Sequence, residues 1–329
     1  MSTMDSVWGS THLKRNEVFT GQIKEMFQDQ TFMQGMVRQI NDFGDGDNYR
    51  ISSLGELVID QMSESVALPE RRMDTGQFVF NINEHVGLKV SFTDKFLEDD
   101  FLASAAVSSA PRKMKRAFDE YYETQVLKLH RVQTSGNVNA INGASHRIVA
   151  SGAGTTSVRT MSQNDFAYAR YALQKAKVPL SGLVAVVDPT FEFNTNINST
   201  LTSNTNGPRW GGIDGVSPAG DGVRFLNTIF GFDVYVSDYL DTATAQEALA
   251  TYAGTADNVE IGDKFNLFFS MGEEDAKPFI GAWRRMPRIV SWKDDDVETE
   301  YHQFSARFGL NLYRPESLVT IATSTNFND

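Results

Sequence analysis

The sequence predicts an α+β fold, and three observations support this prediction. A long amphipathic pattern indicates a helix over residues 111–133. Two short runs that alternate apolar and polar residues, 78–82 and 88–92, indicate strands. Further apolar runs from residue 279 to the end of the chain indicate an antiparallel β system that closes the fold.

Composition bounds what this fold can do. The 329 residues are 41% hydrophobic and 22% charged, which is enough for one large or two ordinary domains with real cores. Cysteine is absent, so disulfides, thiolate zinc sites and thiol nucleophiles are excluded. The net charge of −12 is not typical of a dedicated nucleic-acid-binding protein. The longest apolar run, at 183–187, is far too short for a membrane span, and no secretion signal is visible, so we expect a cytoplasm-like compartment.

The first segment, residues 14–40, has apolar residues at mostly three- and four-residue spacing and predicts one or two amphipathic helices. Two interpretations stay open: an arm that lies on a neighbouring subunit, or an ordinary helix of the same domain. The strand runs 78–82 and 88–92 follow, and the polar connection 83–87 between them predicts a β-hairpin. Only one face of each strand is apolar, so the hairpin needs another surface to cover it.

The predicted helix 111–133 begins with Pro111, which suits the first helical position, and Ser108 and Ser109 are candidate caps. A basic block follows at once, formed by Arg112, Lys113, Lys115 and Arg116. Positive charge at a helix start opposes the helix dipole, which favours contact with an anionic partner. The alternative is an ordinary solvated helix face.

The middle of the chain reads as an α/β unit. A helix is predicted over 162–177, with Ser162 as its cap and Asp165 at the third position. A wholly apolar run, 183–187, then predicts a buried strand. The polar stretch 194–222 predicts a surface loop, and the remaining pattern predicts a strand at 232–236, a weak helix at 245–253 and a buried strand at 265–269.

Catalytic and metal-binding motifs fail on inspection. Asp45, Asp47 and Glu56 have the spacing of a calcium loop, but Arg50 occupies the position that requires glycine. The Gly152–Gly154 stretch lacks the third glycine of a dinucleotide fingerprint, and the five histidines are scattered. We therefore expect no catalytic, cofactor-binding or metal-binding residues. The acidic cluster Asp294, Asp295 and Asp296 predicts a solvated turn between strands or, alternatively, a subunit contact or an ion site on a symmetry axis.

The order of these elements resembles the major capsid proteins of tailed bacteriophages, the Hong Kong 97 type. Several stretches carry the resemblance, namely those at 90–97, 178–190, 231–237 and 308–320. The resemblance covers nearly the whole chain by order of elements, while each stretch alone is weak. It implies an N-terminal arm, an extended β-hairpin loop, a long spine helix, a peripheral domain and an inserted axial domain. The implied bounds are 1–68 for the arm, 69–98 for the hairpin loop, 99–161 with 282–329 for the peripheral domain with spine helix 111–133, and 162–281 for the axial domain.

The resemblance also implies a function. The subunit would assemble into pentamers and hexamers of an icosahedral phage head that encloses double-stranded DNA, and would be found in the virion. The implied partners are other copies of the chain, a separate scaffolding protein, a portal, a decoration protein and the packaged DNA, with no membrane. The basic block would meet scaffold or DNA on the inner face, since the spine helix would face inward. Neighbouring subunits would be contacted by Phe78, Phe80, Ile82, Asp294, Asp295 and Asp296.

Other functions stay open at this point. Another phage structural protein, such as a tail component, fits the long hairpin less well. An encapsulin-type nanocompartment shell shares the fold and would hold enzymes rather than a genome. A soluble enzyme with an unrecognised carboxylate site is the other alternative, and the absence of Cys, of paired His and of a phosphate loop argues against it.

Overall fold

The computed structural model describes residues 31–40, 48–54, 75–100, 103–133, 140–151, 159–191 and 225–324 of the chain. The helices are α1 (Asp94–Asp99), α2 (Ala103–Lys128) and α3 (Gln163–Lys175). The first strands are β1 (Arg38–Ile40), β2 (Asn48–Leu54), β3 (Thr75–Asn81), β4 (Glu84–Thr93), β5 (Ala140–Ile141), β6 (Ala144–Ser145), β7 (Arg147–Val149) and β8 (Leu183–Val187). The later strands are β9 (Phe225–Ile229), β10 (Phe232–Val236), β11 (Glu247–Ala250), β12 (Ala256–Val259), β13 (Lys264–Ser270), β14 (Phe279–Asp294), β15 (Thr299–Leu312) and β16 (Leu318–Thr323).

A mixed six-stranded sheet, in the order β7-β16-β13-β8-β10-β9, forms the centre of the molecule. β8 lies inside this sheet, parallel to β10 and antiparallel to β13, and all five of its residues are buried. Its side chains alternate between two cores: Ala185 packs on the α3 side, and Val184 packs on the α2 side. Burial on both faces explains why the strand is a continuous apolar run rather than an alternating one.

A second sheet, in the order β1-β14-β15-β4, has four strands and is covered on one face by α2. Phe118 of α2 lies 4.9 Å from Phe304 of β15, between ring centroids. Tyr122, one turn further along, stacks on Trp283 of β14 at 5.4 Å. The predicted apolar stripe of the helix thus packs on the sheet through aromatic contacts.

The long helix starts earlier than predicted. α2 begins at Ala103, so Pro111 is an interior residue and not the first helical one, and a short 3-10 turn, Leu129–Gln133, continues the helix. Ser108 and Ser109 do not cap it, because their hydroxyls donate to the carbonyls of Ala105 and Ala106 within the helix. Because Pro111 has no amide hydrogen, α2 lacks one backbone hydrogen bond to the preceding turn, yet the helix continues through this position.

The predicted hairpin between 78–82 and 88–92 is wrong in its pairing. β3 pairs with β2, with Phe80 opposite Tyr49, and β4 pairs with β15, with Leu88 opposite Phe304. The two runs are strands as predicted, but they belong to different sheets. The hairpin that does project from the molecule is the β2–β3 ribbon, whose connection is residues 55–74.

Several other predictions can be compared with the structure. α3 has Ser162 as its N-cap, and the Asp165 carboxylate accepts from the Ser162 amide at 2.7 Å, as predicted. The helix predicted over 14–40 is wrong for its described part, since residues 33–36 form a 3-10 turn and 38–40 form β1. The helix predicted at 245–253 is instead β11, paired with β12.

Two strands within the bounds predicted for the peripheral domain, β7 and β16, pair into the six-stranded sheet, β16 with β13 and β7 with β16. The loop at 194–222 and the calcium-like Asp45, Asp47 and Glu56 lie outside the described residues. Among the described helices, none has the length and apolarity needed to cross a membrane.

Candidate assembly surfaces

Among the described residues, the β2–β3 ribbon contacts the rest of the subunit near its root. Phe80 is fully buried and Ile82 nearly so, against Ile280 and Ala282 of β14. Phe78 makes an edge-to-face contact with Tyr313 at 5.2 Å. Phe80 and Ile82 are therefore used inside the subunit, which corrects the prediction that they contact a neighbour.

The close approach at the ribbon root requires a glycine. A Cβ placed on Gly309 of β15 would lie 2.5 Å from the Asn81 carbonyl oxygen and 3.0 Å from the Phe80 ring. Real Cβ atoms do not approach a backbone oxygen so closely, so a side chain here would push the ribbon off the sheet. The Phe308–Gly309–Leu310 stretch, one of those that carry the family resemblance, thus fixes where the ribbon leaves the molecule.

Away from its root the ribbon is exposed. On β3, Thr75, Gly76 and Gln77 are exposed, as is Ser52 on β2. Neither strand pairs with any other strand in the described part of the chain. A two-stranded ribbon is marginally stable by itself in water, so this one needs a further surface to pack on.

A buried carboxylate anchors the segment before β1 to the long helix. Glu123 of α2 is 1% exposed, and its Oε2 accepts from the backbone amides of Met33 at 2.9 Å and Phe32 at 3.2 Å. Met33 is itself fully buried beside α2. Sequence reasoning missed this anchor, although a lone Glu next to the apolar stripe of a helix is the signal that could have found it.

The basic block lies in the interior of α2, not at its start. Arg112, Lys113, Lys115 and Arg116 are all exposed, while Met114 between them is buried in the core. Because nine residues of α2, beginning at Ala103, precede the block, the argument from the helix dipole does not hold. The structure does bring the four cations onto one exposed helix surface, as their spacing requires.

The acidic cluster is the turn at the end of the β14–β15 hairpin. Asp294 ends β14, Asp295 and Asp296 are exposed, and the Asp296 amide donates to Asp294 Oδ1 at 3.2 Å. Beside it, Lys293 pairs with Asp94 at 2.7 Å. The geometry is that of a solvated turn that reaches away from the core.

The outer half of the four-stranded sheet carries a surface that sequence reasoning missed. Cross-strand register places Lys89, Arg288, Val290, Trp292, Tyr301 and Gln303 on the sheet face opposite α2, and we call these six residues the cationic–aromatic face. The Lys89 ammonium lies 3.6 Å from the Tyr301 ring centroid and 5.0 Å from that of Trp292. Such stacking holds a lysine in place while leaving its charge exposed. The period-two alternation of Arg288–Trp292 is the sequence signal for it.

One buried ionic cluster joins the end of the long helix to the segment after β10. His130, at the end of the long helix, lies 2.9 Å from Asp241 Oδ2, and Arg131 also binds this carboxylate. Burial alone would raise the pKa of Asp241, but the hydrogen bonds from His130 and Arg131 outweigh it and hold that pKa below its usual range. Burial lowers the pKa of His130.

A second buried pair joins β7 to β11. The Arg147 guanidinium, 1% exposed, binds both carboxylate oxygens of Glu247. Paired groups of this kind join strands, and they leave no carboxylate poised for catalysis in either pair. In the described ranges, no cluster of three His, Asp or Glu residues could hold a metal ion.

Comparison with known proteins agrees with this architecture. A cyanophage P-SCSP1u capsid structure matches with a TM-score of 0.66 at 15% identity, covering 97% of this chain and 95% of that chain. The capsid of Ralstonia phage GP4 matches with a TM-score of 0.63 at 10% identity, covering 98% of each chain. A structure from Mycobacterium phage Che8 matches with a TM-score of 0.63 at 14% identity, covering 94% of this chain and 97% of that chain. No curated protein sequence is significantly similar to the chain.

Agreement over nearly the whole length of both chains shows that this protein has the Hong Kong 97-type capsid fold, as predicted. A family model described as phage capsid protein matches residues 79–321, and the chain therefore belongs to that family. It is the major capsid protein of a tailed-phage head, a structural protein of the virion and not an enzyme. The family match favours the phage head over the encapsulin alternative.

Proposed function

We propose that this chain assembles into pentamers and hexamers of an icosahedral head around double-stranded DNA, and that the β2–β3 ribbon lies over a neighbouring subunit. The observation that carries the proposal is the ribbon, which in the described part of the chain is packed near its root, while Thr75, Gly76 and Gln77 of β3 are exposed. A second copy of the chain supplies the missing surface. Burial of the ribbon then occurs only in the assembled shell, so assembly and ribbon order are linked.

The domain assignment is part of this proposal. The ribbon with its connection 55–74 acts as the extended loop, and the six-stranded sheet with α3 forms the axial domain. The four-stranded sheet with α2 forms the peripheral domain. β7 and β16 belong with the axial domain, because both pair into its sheet. The segment before β1 acts as the arm, and its described end is anchored by Glu123.

We assign the basic block on α2 to the inner face of the shell. Arg112, Lys113, Lys115 and Arg116 are exposed together and form a cationic strip on an acidic subunit. Such a strip suits non-specific contact with DNA phosphates, or with an acidic scaffolding protein before DNA enters. A portal and a decoration protein complete the set of partners that we propose.

Electron microscopy of the purified protein tests the proposal directly. The chain is expressed alone and together with any scaffolding gene product encoded beside it, and particles are counted by negative stain and by sedimentation. We expect closed shells, or rings of five and six subunits. A subunit that stays monomeric under every condition contradicts the proposal.

The role of the ribbon is tested by shortening it. A variant in which residues 55–74 are replaced by a short Asn-Gly turn keeps the root contacts of Phe80. We expect it to fold as a monomer with a native circular dichroism spectrum and to lose shells. Normal shells from this variant would show that the ribbon does not hold neighbours together.

A further inference from the structure

The last turn of the long helix is joined to the six-stranded sheet through one carboxylate. Asp241, in the segment between β10 and β11, lies 2.9 Å from His130 Nε2 and binds the Arg131 guanidinium through both of its oxygens. The backbone carbonyl of Asp241 accepts from the Phe265 amide of β13 at 3.0 Å, which links the same residue to the sheet. We call His130, Arg131 and Asp241 the helix–sheet joint.

Beyond Leu129, this turn is held by polar contacts and one ring contact. Leu129 packs against the core beside α2, whereas Val132 is 64% exposed. Arg131 donates to the backbone carbonyl of residue 242 at 3.1 Å, in addition to its contact with Asp241. The His130 ring is the buried member of the turn. Loss of the His130 contacts should therefore loosen the turn.

The site of His130 suits a neutral ring that carries one proton. An ionised carboxylate can only accept, so the neutral ring donates from Nε2 to Asp241. Nδ1 is buried and has no hydrogen-bond partner among the described residues. A second proton would create a buried N–H on Nδ1 without an acceptor there, and the loss of its hydration would not be compensated.

On the sheet side, His130 faces a cation that is already paired. Its ring centroid and the guanidinium carbon of Arg147 lie 4.6 Å and 5.8 Å from the ring centroid of Phe265. Arg147 belongs to β7 and binds both carboxylate oxygens of Glu247 on β11. Glu247 therefore neutralises Arg147, and it does not compensate a charge on His130.

On the helix side, the carboxylate of the joint also has a cationic partner. Arg131 binds Asp241, and Lys264 of β13 donates to two backbone carbonyls of the segment that carries this carboxylate. A protonated His130 would thus add a further cation beside Asp241. Burial has the largest effect on the pKa of His130 and lowers it, Asp241 raises it, and Arg147 and Arg131 lower it again.

We propose that the helix–sheet joint is a proton-operated latch, in which protonation of His130 releases the last turn of the long helix from the six-stranded sheet. The protonated ring moves into water, where both of its N–H groups find acceptors. Arg131, whose side chain is 44% exposed, stays with Asp241. The latch acts within one subunit, so this inference goes beyond the proposed function and does not depend on it.

Hydrogen–deuterium exchange of the full-length, unassembled subunit between pH 7.5 and 5.5 tests the latch. After correction for the intrinsic pH dependence of amide exchange, residues 129–133 and 240–243 should lose protection in acid. Their opening equilibrium should rise by up to about tenfold for each pH unit below 6.5, because the open state binds one more proton. β8 and β16 should stay protected in the same samples, since the joint contributes nothing to their burial.

His130→Gln is the variant that separates the latch from a purely structural contact. Glutamine can still donate to Asp241 but does not titrate, so protection of 129–133 should no longer depend on pH. If His130→Gln does not fold, His130→Phe serves the same purpose, because it keeps a ring against Phe265. The matched control is His146→Gln, an equally buried histidine beside Ala144 in the core on the α3 side, which should leave the pH dependence of 129–133 intact.

Three results would overturn the inference. The first is protection of 129–133 that does not change with pH in the unmodified chain. The second is a pH dependence that persists in the folded His130 variant, since another group would then be the trigger. The third is loss of protection in β8 and β16 at the same pH as in 129–133, because acid would then unfold the whole subunit rather than open the joint.

Discussion

The six-stranded and four-stranded sheets of this subunit differ in how much of each is buried. Every residue of β8 and β16 is buried, with α3 on one side of the sheet and α2 on the other. In β14 only the first four residues are buried, and the strand is exposed from Arg284 to Trp292. The two sheets share α2, yet one has a complete core and the other has half of one.

This difference teaches which parts of a shell subunit are stabilised by the chain itself. The six-stranded sheet removes its apolar surface from water within one copy, so its stability does not require assembly. Under the proposed shell function, we expect the outer half of the four-stranded sheet and the ribbon to gain burial from another copy, so that the mass action of assembly stabilises them. Substitutions in the first region should lower the free energy of unfolding, and those in the second should lower shell yield.

The largest effect is expected in the six-stranded sheet. Phe268 of β13 is fully buried, with edge-to-face contacts to Phe166 at 5.0 Å and Phe232 at 5.3 Å. Phe268→Ala should lower the free energy of unfolding by about 3–5 kcal/mol, from lost burial and the cavity that remains. Urea denaturation of the unassembled subunit measures this. A loss below about 1 kcal/mol would mean that the core of this sheet collapses freely around the gap.

A smaller effect is expected at the ribbon root, where the two regions meet. Gly309→Ala places a Cβ 2.5 Å from the Asn81 carbonyl oxygen, so β3 must move. We expect a loss of about 1–3 kcal/mol in the free energy of unfolding, with fewer shells as the ribbon is redirected. Gly87→Ala is the matched control, since its Cβ would lie 3.1 Å from the Phe304 carbonyl oxygen. Equal effects of the two variants would contradict a special role for the root.

Sequence predicted the elements whose signal is local. The Ser162 and Asp165 pair marks the start of α3, and the apolar run 183–187 marks β8, because capping and burial act on neighbouring residues. The pairing of strands is not a local property. Alternation in 78–82 and 88–92 indicates that each strand buries one face, but it does not indicate which strand each one pairs with. The Ala-rich residues of β11 favour a helix, but pairing with β12 and burial of Leu249 override that propensity.

The candidate site was predictable to a similar extent. The basic block was found because its four residues are adjacent in sequence. The Glu123 anchor and the cationic–aromatic face were missed because they join residues about 90 to 200 positions apart. The contact of Phe80 and Ile82 with a neighbour was predicted because the pattern of their strand indicates one buried face. The pattern does not show that β14 of the same subunit covers that face.

The free energy of unfolding should depend on pH, because two buried histidines, His130 and His146, have shifted pKa values. Burial lowers the pKa of each below the usual 6.5, despite the facing Asp241 for His130 and Glu316 for His146. The two histidines therefore bind protons more tightly in the unfolded chain than in the folded one. Their contribution to the free energy of unfolding is complete above about pH 6.5 and falls as the pH decreases below it.

Denaturation of the unassembled subunit between pH 7.5 and 5 measures this slope. We expect His146→Gln to flatten it, because the lowered pKa of this buried histidine is one source of the slope. A slope that survives in the double variant His130→Gln with His146→Gln would assign the pH dependence to other groups.

The smallest effect on stability is expected on the exposed cationic–aromatic face. The Trp292 ring lies 5.4 Å from that of Tyr301, between centroids, and 5.0 Å from the Lys89 ammonium, but Trp292 is 37% exposed and belongs to neither core. Trp292→Ala should therefore change the free energy of unfolding of the monomer by only about 0.5 kcal/mol. Shell yield should fall by a larger factor, because large aromatic residues contribute disproportionately at interfaces. If instead the monomer lost as much stability as in Phe268→Ala, the outer sheet would be part of the subunit's own core, and the division between the two regions would fail.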